Sequence, residues 1–180
     1  MSLKEELHVR RPFSSIQEEA LLSLSVTWDL LFRNLQVLMR RHGLSLAQYN
    51  VLRILRGAGH EGIPLMEIAR RMIVRYPNVT RLTDRLEAEG LIRRERSSTD
   101  RRVVRAFATS RALEILAKLD TEVEETNVHL MRGADVEDLQ RLIAILSAVR
   151  EPLRNGNGVL PADVDDDETP CENGDDPDRD

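Results

Sequence analysis

Apolar residues recur at steps of three and four through Leu21, Leu24, Trp28, Leu31, Leu35 and Leu38, with Phe32 and Met39 widening the stripe. That period marks one buried face of a long helix. Ser15 and Glu18 stand at capping-box spacing at its start, and Arg41–His42–Gly43 closes it with cations and a terminating glycine. Residues 1–14 lack the period and read as a flexible arm. Ser45 and Gln48 repeat the capping spacing and open a helix through Tyr49, Val51, Leu52 and Leu55, ended by Gly57–Ala58–Gly59. Ile63–Pro64 suits a very short strand, and Leu65, Ile68, Ala69 and Met72 form the inner face of a short helix. The next helix, with Pro77 in its first turn and Gly90 at its end, buries Val79, Leu82 and Leu86 and turns Asn78, Thr80, Arg81 and Arg85 away from the core.

Leu91 to Arg96 and Val103 to Ala108 then read as paired strands around an Arg-rich turn, Ser97 to Arg102. Helix, turn, helix and basic hairpin is the order of a winged helix-turn-helix. Thr109 or Ser110 caps a helix carrying Leu113, Leu116, Leu119, Val123 and Leu130, which Gly133 breaks. Asp135 caps a last helix with Leu139, Leu142, Ile143, Leu146 and Val149, which Pro152 ends. The expected fold is mainly α with a small β-hairpin wing. Its parts are a flexible arm (1–14), an N-terminal dimerisation helix (15–43), a winged helix-turn-helix DNA-binding lobe (44–110), C-terminal dimerisation helices (111–152) and a disordered acidic tail (153–180). A winged lobe completes its own core with about 80–90 residues. The remaining apolar stripes need a partner, and a second copy about a two-fold axis is the simplest one. The alternative is that the terminal helices pack back on their own lobe.

The formal charge of −5 averages two unlike regions. Ten acids crowd Pro161 to Asp180 against Arg179 alone, whereas residues 62–112 carry twelve arginines against six acids. An acidic segment so poor in apolar residues cannot offset its ordering entropy. A cationic winged unit implies a polyanion partner, and a solvated charged surface is the competing reading. On the first reading, the second helix of the pair lies in the major groove of double-stranded DNA and the hairpin tip reaches the minor groove. Asn is suited to pair with adenine and Arg with guanine, which singles out Asn78 and Arg81. Arg75, Tyr76, Thr80 and Arg85 complete the set on the helix, with a structural ion pair as the other role for Arg85. Asp84 reads as structural. At the tip, Arg101 and Arg102 suit a narrow minor groove, and Asp100 shapes the turn.

Three stretches resemble the MarR family, the multiple antibiotic resistance type of bacterial regulators. They are Leu46-x-x-Tyr49-x-Val51-Leu52-x-x-Leu55, then Val79-Thr80-Arg81-Leu82-x-Asp84-Arg85-Leu86-Glu87-x-x-Gly90-Leu91-Ile92-x-Arg94, then Asp100-Arg101-Arg102 followed by Thr109. In order and at these separations they cover about residues 20–150. The resemblance implies a homodimeric repressor on a palindromic operator, released by a small phenolic or anionic effector or by an oxidant, with Arg102 at the family's wing position. It also places an effector pocket where the dimer helices meet the lobe, lined by Trp28, Phe32, Arg40 and Tyr49, with core packing as the other role for Trp28 and Phe32. Tyr76 stands where the family often has a small polar cap, so no operator sequence transfers. Ala112 replaces a frequent glycine, and alanine favours a helix.

No nucleophile has a neighbouring histidine, no Gly-rich loop suits phosphate, and no carboxylate pair is tied to a pocket, so neither catalysis nor a cofactor is expected. His8, His42, His60 and His129 lack close metal-ligand spacing. Cys171 sits among carboxylates, which raise a thiol pKa and blunt its reactivity, and the first long helix lacks the cysteine that oxidant-sensing members use there. No apolar run has the length of a membrane span, and the start lacks a signal-peptide core, so a cytoplasmic protein is expected. A winged module docking an acidic protein is the runner-up function. An enzyme is a distant third.

Overall fold

The computed structural model describes residues 2–74, 78–96 and 103–154. Two compact units divide the chain, the first ending at Met131 and the second beginning at Arg132. Three helices of the first unit start at the caps that the sequence marks. Ser15 caps α2 (Ile16–Arg41) by accepting from the Glu18 N–H at 3.1 Å. The Glu18 carboxylate reaches back one residue further than a capping box requires, to the N–H and hydroxyl of Ser14, each at 2.6 Å. Ser45 and Gln48 form the full reciprocal box on α3 (Leu46–Ala58), at 3.1 and 2.8 Å. Thr109 caps α6 (Ser110–Leu130) through the Ala112 N–H, and its hydroxyl contacts the carbonyls of Gly90 and Leu91. One element is new: α1 (Leu3–Glu6) is a single turn inside the expected arm, built by a Ser2/Glu5 capping box.

Between α3 and α6 lie β1 (Ile63–Pro64), α4 (Leu65–Arg71), α5 (Val79–Ala88), β2 (Ile92–Arg96) and β3 (Val104–Ala108). The strands form one antiparallel sheet in the order β1-β3-β2, with Ala106 facing both Ile63 and Arg94. The core gathers Met39 of α2, Val51, Leu52 and Leu55 of α3, Ile68 of α4, Leu86 of α5, and Leu116 and Leu119 of α6, all 0–1% exposed. In the second unit α7 runs Val136–Arg154.

Three expectations shift. The recognition-type helix α5 begins at Val79, with Asn78 as its cap, so Pro77 precedes the helix instead of opening its first turn. Ala69 is exposed, because seven-residue α4 offers a single narrow stripe and Ile68 alone is fully buried on it. Pro152 lies inside α7, which continues to Arg154 and so takes in the first two residues of the expected tail. Proline lacks one N–H, yet its fixed φ is itself helical, so a final half-turn follows it. Residues 155–180 of that tail lie outside the described residues.

Two long stripes stay exposed among the described residues. On α2 only Leu38 and Met39 are buried, while Leu21, Leu24 and Trp28 stay 44–64% exposed. On α7 nothing is buried, and Leu142, Ile143, Ile145 and Val149 are exposed.

Candidate nucleic-acid interface

The pattern of α5 divides the helix into two sides. Leu82, Thr83 and Leu86 face inward; Thr80, Arg81, Asp84 and Arg85 face out. Thr83 is wholly buried, and its hydroxyl donates to the Thr80 carbonyl at 2.8 Å, which satisfies it within the helix. Asn78 serves as the N-cap: its Oδ1 accepts from the Arg81 N–H at 2.9 Å. Capping adds a structural role to the base contact expected of Asn78. Its Nδ2 donor and the second lone pair of Oδ1 remain for a ligand. Arg81 and Arg85 have no ion-pair partner among the described residues, so the structural ion pair considered for Arg85 is not made there.

The acids of α5 are engaged by the wing. Arg94 on β2 donates through Nε to Glu87 at 2.7 Å and through a terminal nitrogen to Asp84 at 2.6 Å. Its backbone N–H also donates to Glu87, at 3.1 Å. β2 is an edge strand, so this N–H has no ladder partner, and the helix carboxylate fills the vacancy. The Arg94 side-chain hydrogen bond holds the Glu87 carboxyl below its ordinary value, and Glu87 in turn raises the Arg94 guanidinium. This cross-tie fixes the wing root to the helix and removes two negative charges from the face that carries Arg81 and Arg85. The structural role expected of Asp84 is met here by Arg94, which the sequence did not single out, and which Asp84 shares with Glu87.

A depressed carboxyl pKa contributes stability above the unfolded value and loses it as pH falls through the folded value. Wild type should therefore unfold at higher urea than Glu87→Gln at pH 7. That gap should narrow as pH drops below about 4.5, the ordinary glutamate value. A gap that is unchanged at pH 3 would refute the charge-assisted tie.

At the wing root, Arg93 lies over the Phe107 ring at 4.1 Å and pairs with Glu95. The Arg105 guanidinium donates to the carbonyls of Glu61 and Gly62 at 2.8 and 3.0 Å, pinning the loop before β1 to β3. Arg70 and Arg71 of α4 share one acid, Glu67. Arg75, Tyr76, Asp100, Arg101 and Arg102 lie outside the described residues.

The residues expected to line an effector pocket lie on two helices, Trp28, Phe32 and Arg40 on α2 and Tyr49 on α3. Tyr49 is 6% exposed in the core, since it points inward from α3, and Arg53 lies over its ring. Trp28 and Phe32 pair along α2 with ring centroids 5.6 Å apart, and Arg40 is exposed. A shallow groove of about 420 Å³ lies between α2 and α6, lined among others by Asn34, Arg41, Glu125 and His129. None of the four expected residues borders it. No helix among the described residues is long and apolar enough to cross a membrane.

A sequence profile of the MarR family matches residues 44–104. A MarR transcription factor from Planctomyces limnophilus is 33% identical, over 76% of this chain and 99% of its own, with a TM-score of 0.60. Two further solved structures share the fold. AbsC, a MarR family transcriptional regulator from Streptomyces coelicolor, is 23% identical over 81% of this chain and 99% of its own, TM-score 0.69. A mutant MarR from E. coli complexed with operator DNA is 21% identical over 83% and 99%, TM-score 0.66.

Proposed function

This chain belongs to the MarR family of transcription regulators, and from that premise we propose that it is a homodimeric repressor that binds a palindromic operator in double-stranded DNA. The observation that carries the reading is the outer face of α5. Thr80, Arg81 and Arg85 project from it, while Arg94 neutralises the neighbouring acids from behind. A structural relative, MarR of E. coli, has been solved with operator DNA. In this reading α5 enters the major groove, with Arg81 on a guanine edge and Thr80, Arg85 and the Asn78 amide on phosphates or bases. Arg75 and Tyr76 join them at the helix entry, and Asp100, Arg101 and Arg102 present the wing to the minor groove. The segments of the chain are assigned as arm 1–14, dimerisation helices 15–43 and 111–152, DNA-binding lobe 44–110 and tail 153–180. The uncovered faces of α2 and α7 meet a second copy. A small phenolic or anionic effector then releases the operator from a pocket where the dimer helices meet the lobe, lined by Trp28, Phe32, Arg40 and Tyr49, and the site of action is the bacterial cytoplasm.

The test is selection from random duplexes with the full chain, followed by titration at several salt concentrations. The expected outcome is a palindrome with half-sites about 10 bp apart, two chains per duplex, and binding that weakens steeply with salt. Arg81→Ala should cost about 1–3 kcal/mol and relax one position in each half-site. Binding with no sequence preference would overturn the reading and favour an acidic protein partner.

A further inference from the structure

The turn between α4 and α5 carries two large aliphatic side chains in water. Ile73 is 77% exposed and Val74 55%. Other exposed apolar residues, such as those on α2 and α7, recur at helical spacing and suit another helix. Ile73 and Val74 do not. Met72 is the C-cap of α4 and leaves helical geometry at ψ 138°, so the two residues that follow are adjacent in a turn and form no helical stripe. A neighbouring helix has nothing periodic to grip there.

Their surroundings are cationic. Arg70 and Arg71 end α4 and share the single acid Glu67. Arg81 and Arg85 stand exposed on α5. Val74 precedes the Asn78 cap by four residues, a span of at most about 14 Å of extended chain. The pair therefore lies within about one major-groove width of the first turn of α5. An exposed apolar pair flanked along the chain by exposed arginines suits a partner that displays apolar groups between anionic ones. The major groove is bounded by phosphates, and the thymine C5-methyl is the apolar group that it displays.

We propose that Ile73 and Val74 read a thymine methyl beside the bases contacted by α5, so that the turn, as well as the helix, sets operator sequence. This rests on the DNA-binding reading above. The contact carries no charge and makes no hydrogen bond. It distinguishes thymine from every base that lacks a methyl, including uracil, which pairs identically.

That identity supplies the test. Each thymine of a duplex selected with the full chain is replaced singly by deoxyuridine, and affinity is measured by anisotropy. One thymine in each half-site should lose about fourfold on losing its methyl, the equivalent of burying one methylene. Ile73→Ser and Val74→Ser, both at exposed positions, should each reduce the discrimination between the thymine and uracil duplexes, and the double variant should bind the two equally, while keeping the other base preferences of wild type. The proposal is overturned if every replacement is neutral in wild type, a result that needs no variant. It is also overturned if the double variant keeps the fourfold discrimination. Failure to select any preferred duplex removes the DNA-binding reading itself, and this inference with it. A selected duplex that is indifferent to uracil removes the inference alone.

Discussion

Leu24→Asp and Leu142→Asp should each turn the protein into a monomer at micromolar concentration without unfolding it. Both leucines are more than 40% exposed in the single chain, on α2 and α7, so an aspartate there meets water and costs the isolated chain little. If these faces meet a second copy, the same carboxylate is buried without a partner, at a cost of roughly 3–5 kcal/mol. That weakens association by roughly two to four orders of magnitude. Sedimentation equilibrium reads the mass, and circular dichroism checks that helix content is kept. Affinity for a palindrome should fall towards that of a half-site, since the second lobe is no longer tethered. An unchanged dimer dissociation constant in both variants would show that these faces are not the interface.

The exposed stripes were legible in the sequence because helical packing leaves a period, whoever the partner is. The caps were legible because each is a local bargain between a side chain and an N–H three residues on, as at Ser45/Gln48 and Thr109. The same signature at Ser2 and Glu5 marked α1, although no apolar stripe accompanied it. At α5 two start signals competed. Pro77 suits a first turn, but the Asn78 side chain reaches the Arg81 N–H and so starts the helix two residues later than the proline suggests. The outward face of α5 followed from the spacing of Leu82 and Leu86, which is why Thr80, Arg81 and Arg85 were identified together. The tie from Arg94 to Asp84 and Glu87 was not legible, because it crosses from a helix to a strand and depends on an edge N–H that only the sheet order reveals. Burial of Thr83 likewise depends on how wide the covered face of α5 is, which neighbouring elements decide.

Gly62→Ala should be the most damaging single-methyl change in the lobe, for a reason that lies in two distant segments. Gly62 sits at φ 60°, ψ −171°, a region essentially reserved for glycine, and leaving glycine there costs about 1–3 kcal/mol. A Cβ would also stand 2.5–2.7 Å from three atoms of the Phe107 ring. The ring is held from β3 beneath Arg93, and forcing it aside adds about 1–3 kcal/mol of overpacking. The expected loss is therefore about 2–6 kcal/mol in urea or thermal unfolding. Gly59 supplies the control, with similar backbone angles of φ 58°, ψ −142° and nothing within 4 Å of its added Cβ. Gly59→Ala should show the backbone cost alone. The excess at Gly62 should shrink when Phe107→Leu is combined with it, since a smaller side chain makes room. DNA affinity should fall further than stability predicts, because Phe107 and Arg105 fix the root of the wing through the loop that contains Gly62. Equal destabilisation at the two glycines would remove the Phe107 contact as the reason for a glycine at Gly62.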